Sequence, residues 1–256
     1  MLLLTYLIRQ CLGAIAFYTC IPIPTRWNPE FNQIARWSPL VGLLIGGILG
    51  GMALVFQLLG IPVLTRSTLV VILWMLITGG LHLDGLMDTA DGLAVMDRSR
   101  RLTVMADSHS GAFGVMAAIA LVVLKIAALS EIAVSPLVAL MTVAAWGRWG
   151  QVVAIACYPY LKPTGKGALH KASLKLPQDL LLASSWLMLW SGGQCWLFPH
   201  NWLAIGLVAG IGAAIGGAVG AWINGQLGGQ TGDTYGAIVE VTETLLLCVF
   251  TVLKLA

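Results

Sequence analysis

Charge is scarce in this chain. Only 10% of its 256 residues are Asp, Glu, Lys or Arg, whereas 58% are hydrophobic. A soluble domain carries about 25% charged residues. With a mean hydropathy of +0.88, a water-soluble globule would have to expose an apolar surface. Short alternating segments of strand type are missing as well, which excludes a transmembrane β-barrel. Cysteine is thinly spread: Cys11, Cys20, Cys157, Cys195 and Cys248 form no C-x-x-C pair. Each lies in or beside an apolar run, where a thiol behaves as a small hydrophobe, so neither a disulfide framework nor a thiolate metal site is expected. Residues 1–8 carry no basic segment, and Ala14-Ile15-Ala16 is the sole cleavage-like pattern, so no cleaved signal peptide is expected.

What remains is a series of long apolar runs. They predict an all-α fold, a polytopic integral membrane helix bundle with about 7–8 transmembrane segments in a single domain over 1–256, since each span takes ~20 residues. The predicted spans are 2–21, 38–60, 67–82, 112–130, 134–157, 179–198, 203–224 and 237–255. Arg9 inside the first leaves an interfacial or re-entrant segment open there, and Glu240 and Glu243 fall in the first turns of the last. Gly42, Gly46 and Gly50 have small-xxx-small spacing, as do Gly206 and Gly210, and Gly212, Gly216 and Gly220. Such faces let helix backbones approach closely in lipid.

Alternating sides span by span puts loops 22–37, 83–111, 158–178 and 225–236 on one face. That face holds Arg26, Arg36, Arg98, Arg100, Arg101, Lys162, Lys166, Lys171 and Lys175; the other holds only Arg66 and Lys254. Short loops rich in Lys and Arg stay in the cytoplasm. The polar motifs are therefore expected to converge at the cytoplasmic membrane surface. For the loop from Lys162 to Lys175, orientation alone explains the lysines as well as a ligand role does.

The few acids are concentrated. Of 11 in the chain, Asp84, Asp88, Asp91, Asp97 and Asp107 fall between Gly79 and Gly114, with Arg98, Arg100 and Arg101 among them. Asp84, Asp88 and Asp91 are spaced i, i+4, i+7, which on a helix is one narrow face. Carboxylates crowded there repel one another and are costly near lipid unless a hard cation neutralises them. Oxygen ligands favour Mg²⁺, which keeps waters and bridges to substrate phosphates. The expected metal ligands are Asp84, Asp88 and Asp91, and the expected chemistry is phosphoryl transfer from a nucleotide-type substrate. His82, two residues from Asp84, points away from that face on a continuous helix; it is either an acid/base group or a hydrogen-bonded interfacial histidine. His170 and His200 stand outside any motif. Arg98 or Arg100 suits a phosphate, which arginine grips bidentately. Asp107, Ser108 and Gly111 lead into the span at 112, where backbone N–H groups are offered to an anion; capping explains the serine equally well.

A second polar cluster is Gly228-Gly229-Gln230-Thr231-Gly232-Asp233-Thr234, followed by Glu240 and Glu243. Carboxylates inside a span are functional by default, so Thr231, Asp233, Glu240 and Glu243 read as a second ligand-binding wall. Helix capping by Thr231 or Thr234 with a structural ion pair is the alternative.

Together these segments resemble the cobalamin synthase (adenosylcobinamide-GDP ribazoletransferase) family over nearly the whole chain. The resemblance rests on four motifs in order. They are Phe17-Tyr18-Thr19-Cys20-Ile21-Pro22-Ile23-Pro24; Gly79-Gly80-Leu81-His82-Leu83-Asp84-Gly85-Leu86 with Asp88, Asp91 and Gly92; Asp107-Ser108 with Gly111 and Gly114; and Gly228 to Thr234 with Gly236, Ala237, Glu240 and Glu243. Ala106 and His109 stand where similar proteins usually carry basic residues.

The resemblance implies that a ribose hydroxyl of α-ribazole, or of its 5′-phosphate, attacks the cobinamide-linked phosphorus of adenosylcobinamide-GDP. GMP leaves, and adenosylcobalamin or its phosphate forms, with Mg²⁺ as the expected metal. Asp84, Asp88, Asp91 and Asp233 are the expected catalytic residues, with Asp84 or Asp233 taking the hydroxyl proton. His82, Arg98, Arg100, Asp107, Ser108, Gly111, Thr231, Glu240 and Glu243 are the expected substrate-binding residues. Membrane lipid, and a homo-oligomer or other corrinoid-assembly enzymes, are the expected partners; nucleic acid is not. A CDP-alcohol phosphotransferase would need D-G-x-x-A-R, but Asp84-Gly85 is followed by Asp88-Thr89. A transporter would place its acids at mid-membrane on broken helices, whereas most here crowd one face.

Overall fold

The computed structural model describes residues 2–253, so Lys254 and the end of the last predicted span lie outside the described residues. It is helical throughout, with no β-strand among the described residues. The long helices are α1 (Leu2–Tyr18), α2 (Ser38–Leu58), α3 (Val63–Thr78) and α4 (Leu81–Ala94). After a single turn, α5 (Arg101–Val104), come α6 (Ala112–Glu131), α7 (Pro136–Cys157), the short α8 (Lys166–Ser173), α9 (Gln178–Leu197), α10 (Trp202–Leu227) and α11 (Gly232–Val252). Pro136 opens α7, where its missing N–H costs nothing. Thr231 and Thr234 form a reciprocal capping box at the start of α11.

Among the described residues, five helices are long and apolar enough to cross a membrane: α2 with its lead-in, α6, α7, α10 with its lead-in, and α11. The bent pair α3–α4 makes a sixth if it is one span. Of the other predicted spans, α1 is only 17 residues long and contains Arg9. Helix α9 is interrupted by Asp179, Ser184, Ser185, Ser191 and Gln194.

The centre of the bundle is α7, packed against α2, α10 and α11. Gly42, Gly46 and Gly50 of α2 lie against the backbone of Ala144, Leu140 and Leu137 on α7, leaving no room for a side chain. On α10, Gly212 lies tight against the Trp146 ring and Gly216 against the Gly150 backbone, while Gly220 meets Ala154 at ordinary contact distance. The predicted small-residue faces are therefore real contacts at those positions. Gly206 and Gly210 are not: each faces open space within the chain.

The largest departure from the predicted layout is at Gly79-Gly80. Both glycines have left-handed φ, +60° and +69°, a conformation with no steric cost only for glycine. The chain turns by 90° there. The aspartate segment is thus not a loop following a span but a second helix, α4, lying across the bundle end against α11 and α6. The crossing of α4 and α11 is a backbone contact. A Cβ at Gly85 would stand 2.5 Å from the Asp233 carbonyl oxygen, and one at Gly236 would stand 2.9 Å from that of His82.

Candidate functional site

Helix α4 carries Asp84, Asp88 and Asp91 on one side, as their spacing requires. Asp84 is exposed, and Asp88 and Asp91 are half-buried. The three have different surroundings. Both oxygens of Asp91 are engaged by backbone N–H groups at the start of α6, from Gly111 at 2.7 Å and Gly114 at 2.8 Å. A helix N-terminus attracts an anion through its unpaired N–H groups and dipole. Here the anion is Asp91 itself, so the Gly111 N–H expected to meet a substrate is occupied, and Asp91 clamps α4 to α6. Asp84 and Asp88 accept no such bond among the described residues. Asp88 sits in the field of Asp84, Asp233 and Asp91, with Lys162 as its countercharge.

Asp233 reaches this group from the first turn of α11. Its carboxylate pairs with Lys162 at 2.7 Å and accepts a hydrogen bond from the Thr231 hydroxyl at 3.2 Å. Lys162 is delivered by the segment after α7, tied to the α10–α11 turn by Leu161 N–H to Gln230 C=O (2.9 Å) and Gln230 N–H to Pro159 C=O (2.8 Å). Thr231 is thus a helix cap that also orients Asp233.

These groups surround a cavity of about 260 Å³. Among the described side chains its charged lining is Asp84, Asp233 and Lys162. Deeper, Tyr18, His82, Gln151, His170 and Tyr235 are all buried. His82, expected to point away from the aspartates, turns inward and lines the same cavity, because the cavity runs under α4 as well as beside it. His170, which had no motif, packs edge-on to Phe17 at 4.8 Å and is stacked with Tyr18 at 6.0 Å. Burial pushes its pKa down to about 4, so it is a neutral imidazole at neutral pH. Burial also raises the Tyr160 phenol at the cavity wall.

Several predicted residues are elsewhere. Arg98 and Arg100 are exposed on a short 3₁₀ turn and do not line the cavity. Arg101 is a clamp, bonding Val95 C=O and Gln226 C=O at 3.0 Å each. Asp107 and Ser108 are exposed; Asp107 bonds the His109 N–H and imidazole, which hold its carboxyl below the usual range. Glu240 and Glu243 form no wall of this cavity. They are buried with Lys125 of α6 and Arg148 of α7. Lys125 reaches Glu240 at 2.8 Å and Glu243 at 2.9 Å, while Arg148 reaches Glu243 at 2.7 Å. Lys125 also sits over the Trp74 ring at 4.1 Å. Two buried carboxylates face two buried cations, the structural ion-pair alternative for this segment. Lys125 and Arg148 were missed in the sequence, although a lone charge inside each of two apolar runs was a visible signal.

Among the described residues, no three His, Cys, Asp or Glu side chains form a ready-made metal site. The donor chemistry nevertheless fits a hard divalent cation. Asp84 and Asp88 offer carboxylate oxygens, with Asp233 and its partner Lys162 close by. Mg²⁺ commonly takes only one or two carboxylates and completes its shell with water and substrate phosphate.

Comparison with known proteins agrees with this architecture. The family described as cobalamin-5-phosphate synthase matches residues 10–251. An adenosylcobinamide-GDP ribazoletransferase of Trichormus variabilis is 54% identical over 248 residues, covering 96% of this chain and 98% of the relative. One from Thermosynechococcus vestitus is 48% identical over 250 residues, covering 95% and 96%. No solved structure matches. With near-complete coverage in both directions, and three of the four sequence motifs contributing to one cavity, the chain belongs to the cobalamin-5-phosphate synthase family.

Proposed function

We infer that this chain joins adenosylcobinamide-GDP to α-ribazole, or to its 5′-phosphate, giving adenosylcobalamin or its phosphate and GMP. A ribose oxygen forms a bond to the cobinamide-linked phosphorus, and the bond from that phosphorus to GMP breaks. The observation that carries the reading is the cavity. Phe17 and Tyr18, His82 and Asp84, and Asp233 and Gly236 come from three separate motifs, yet line one space.

The residues divide the work by position. Asp84 and Asp88 would hold Mg²⁺. Bound there, the metal would lower the negative charge of the diphosphate and stabilise the departing GMP. Lys162 is the cation at the cavity, in place of Arg98 or Arg100, and suits a substrate phosphate. When a phosphate draws Lys162 away, the Asp233 carboxylate is released from its ion pair and is free to take the proton of the attacking hydroxyl. Thr231 holds Asp233 in place during that exchange.

The membrane setting of this proposal is the bacterial inner membrane, with the cavity on the cytoplasmic side. The clustering of Lys and Arg in the loops of that face supports it. Lipid covers the exposed Leu and Val side chains of α2, α3, α6 and α10, and a second copy or other corrinoid-assembly enzymes would use the same perimeter.

The test uses purified protein in detergent with adenosylcobinamide-GDP, α-ribazole and Mg²⁺, followed by chromatography. GMP and a cobalamin product are expected together, lost with EDTA and restored by excess Mg²⁺. No product from monodisperse protein, with a known synthase active alongside, overturns the reading. Gly85→Ala should lower turnover roughly a hundredfold in this assay, because a Cβ meets the Asp233 carbonyl and pushes the two acid-bearing helices apart. Unchanged turnover in Gly85→Ala would remove the requirement for close α4–α11 contact.

A further inference from the structure

The floor of the cavity is built differently from its mouth. Both ring nitrogens of His82, Oε1 of Gln151, Nε2 of His170 and the hydroxyl of Tyr235 are buried without a hydrogen-bond partner among the described residues. These four side chains are only 2–5% exposed, and all line the cavity. A buried polar atom left unpaired is costly, and one domain rarely tolerates several in one place. Aromatic rings surround them. Tyr18 is stacked with His82 at 6.2 Å and with His170 at 6.0 Å; Phe17 meets His170 edge-on; Tyr160 stacks with Tyr235 at 6.0 Å. Among the described side chains no acid or cation lines this floor; the charges stand with Asp84, Lys162 and Asp233.

We propose that this aromatic, uncharged floor is the subsite for the acceptor nucleoside, with His82, Gln151, His170 and Tyr235 as the residues that select its base and ribose. The proposal rests on the transferase reading and adds a substrate position to it. A space of about 260 Å³ suits one nucleoside and not a corrin ring. A guanine base presents adjacent N–H donors that a carboxylate meets best, and no carboxylate is among the described side chains of the floor. A benzimidazole-type base is flat, largely hydrocarbon at its edge, and carries one ring acceptor. It matches stacked rings with a few neutral donors, and the Gln151 oxygen is left for a ribose hydroxyl. With the base at the floor, the sugar lies toward the carboxylates at the mouth.

The experiment is equilibrium binding of α-ribazole and, separately, of GMP to the detergent-purified full chain, with Tyr235→Phe and His82→Leu as variants. Each variant should weaken α-ribazole about tenfold, the loss of one hydrogen bond to a ligand, while GMP binding stays within twofold. The unliganded melting temperature should be unchanged or higher, since each change deletes an unpaired polar atom. A merely structural role would lower it. Loss of GMP binding with α-ribazole unaffected would assign the floor to guanine and overturn the proposal. So would unchanged binding of both, a lower melting temperature with both weakened, or wild-type protein that does not bind α-ribazole. GMP release by the same wild-type sample separates the two readings. Selective α-ribazole loss without wild-type turnover keeps the subsite and sinks the transferase, and turnover without selective loss does the reverse.

Discussion

Replacing Asp84 or Asp88 by alanine is expected to lower turnover about a thousandfold or more, while the protein still inserts and purifies as a single species. The reason lies in what these side chains do not do. Asp84 is exposed and Asp88 half-buried, and neither carboxylate is used to hold two helices together. No packing is lost with them, so melting temperature should change little. What is lost is the negative charge facing a diphosphate, where metal and electrostatic stabilisation of a transferring phosphoryl group contributes factors of roughly 10²–10³ per group. Asn at either position should fail almost as fully, because the charge and not the shape is required. Asp91→Ala should behave differently. It removes the acceptor of the Gly111 and Gly114 N–H groups, so stability and activity should fall together. The measurements are GMP release against Mg²⁺ concentration and thermal unfolding of each variant in one detergent. Normal activity in both Asp84→Ala and Asp88→Ala would sink the metal-site proposal.

Glu243→Leu is expected to deplete folded protein rather than to slow a folded enzyme. Glu243 is the shared anion of the buried quartet, bonded to Lys125 through one oxygen and to Arg148 through the other. Without it, Arg148 has no anionic partner, and Lys125 keeps only Glu240. Breaking a buried pair by removing one partner costs about 3–5 kcal/mol, because an uncompensated charge stays buried. That is a large fraction of the 5–15 kcal/mol that typically separates folded from unfolded protein. The double change Lys125→Met with Glu240→Leu removes one charge of each sign and leaves Arg148 paired with Glu243. It should be far milder than either single change. Yield of monodisperse protein and melting temperature decide the matter. A double variant as unstable as Glu243→Leu would mean that packing, not charge, governs this region.

The two clusters of acids were equally visible as sequence and sit in opposite settings. Asp84 and Asp88 line and flank an open cavity, while Glu240 and Glu243 are sealed among helices. Spacing told which carboxylates share a helix face. It did not tell what faces them, because Lys125 and Arg148 come from 95–118 residues away along the chain. The same holds for Asp91, whose partners on α6 are 20 and 23 residues distant. His170 shows the limit most plainly. Nothing around it reads as a motif, yet it packs on Phe17 and Tyr18 from the first helix.

By itself the sequence determined that the chain is helical and membrane-embedded, since a chain so poor in charge, and without the alternating segments of a barrel, satisfies its backbone in lipid only as helices. It also marked Asp84, Asp88 and Asp233 as candidates for chemistry, because charge is so scarce elsewhere, and it carried the four ordered motifs of one family. Only the tertiary structure decided which charges reach the cavity and which hold the bundle together. Lys162 is a site cation because a two-bond tie to Gln230 brings its loop to Asp233. The aspartates lie on a cross-running helix because Gly79 and Gly80 turn the chain by 90°. A carboxylate has one intrinsic chemistry; its role is set by the countercharges and donors that distant segments bring within about 3 Å.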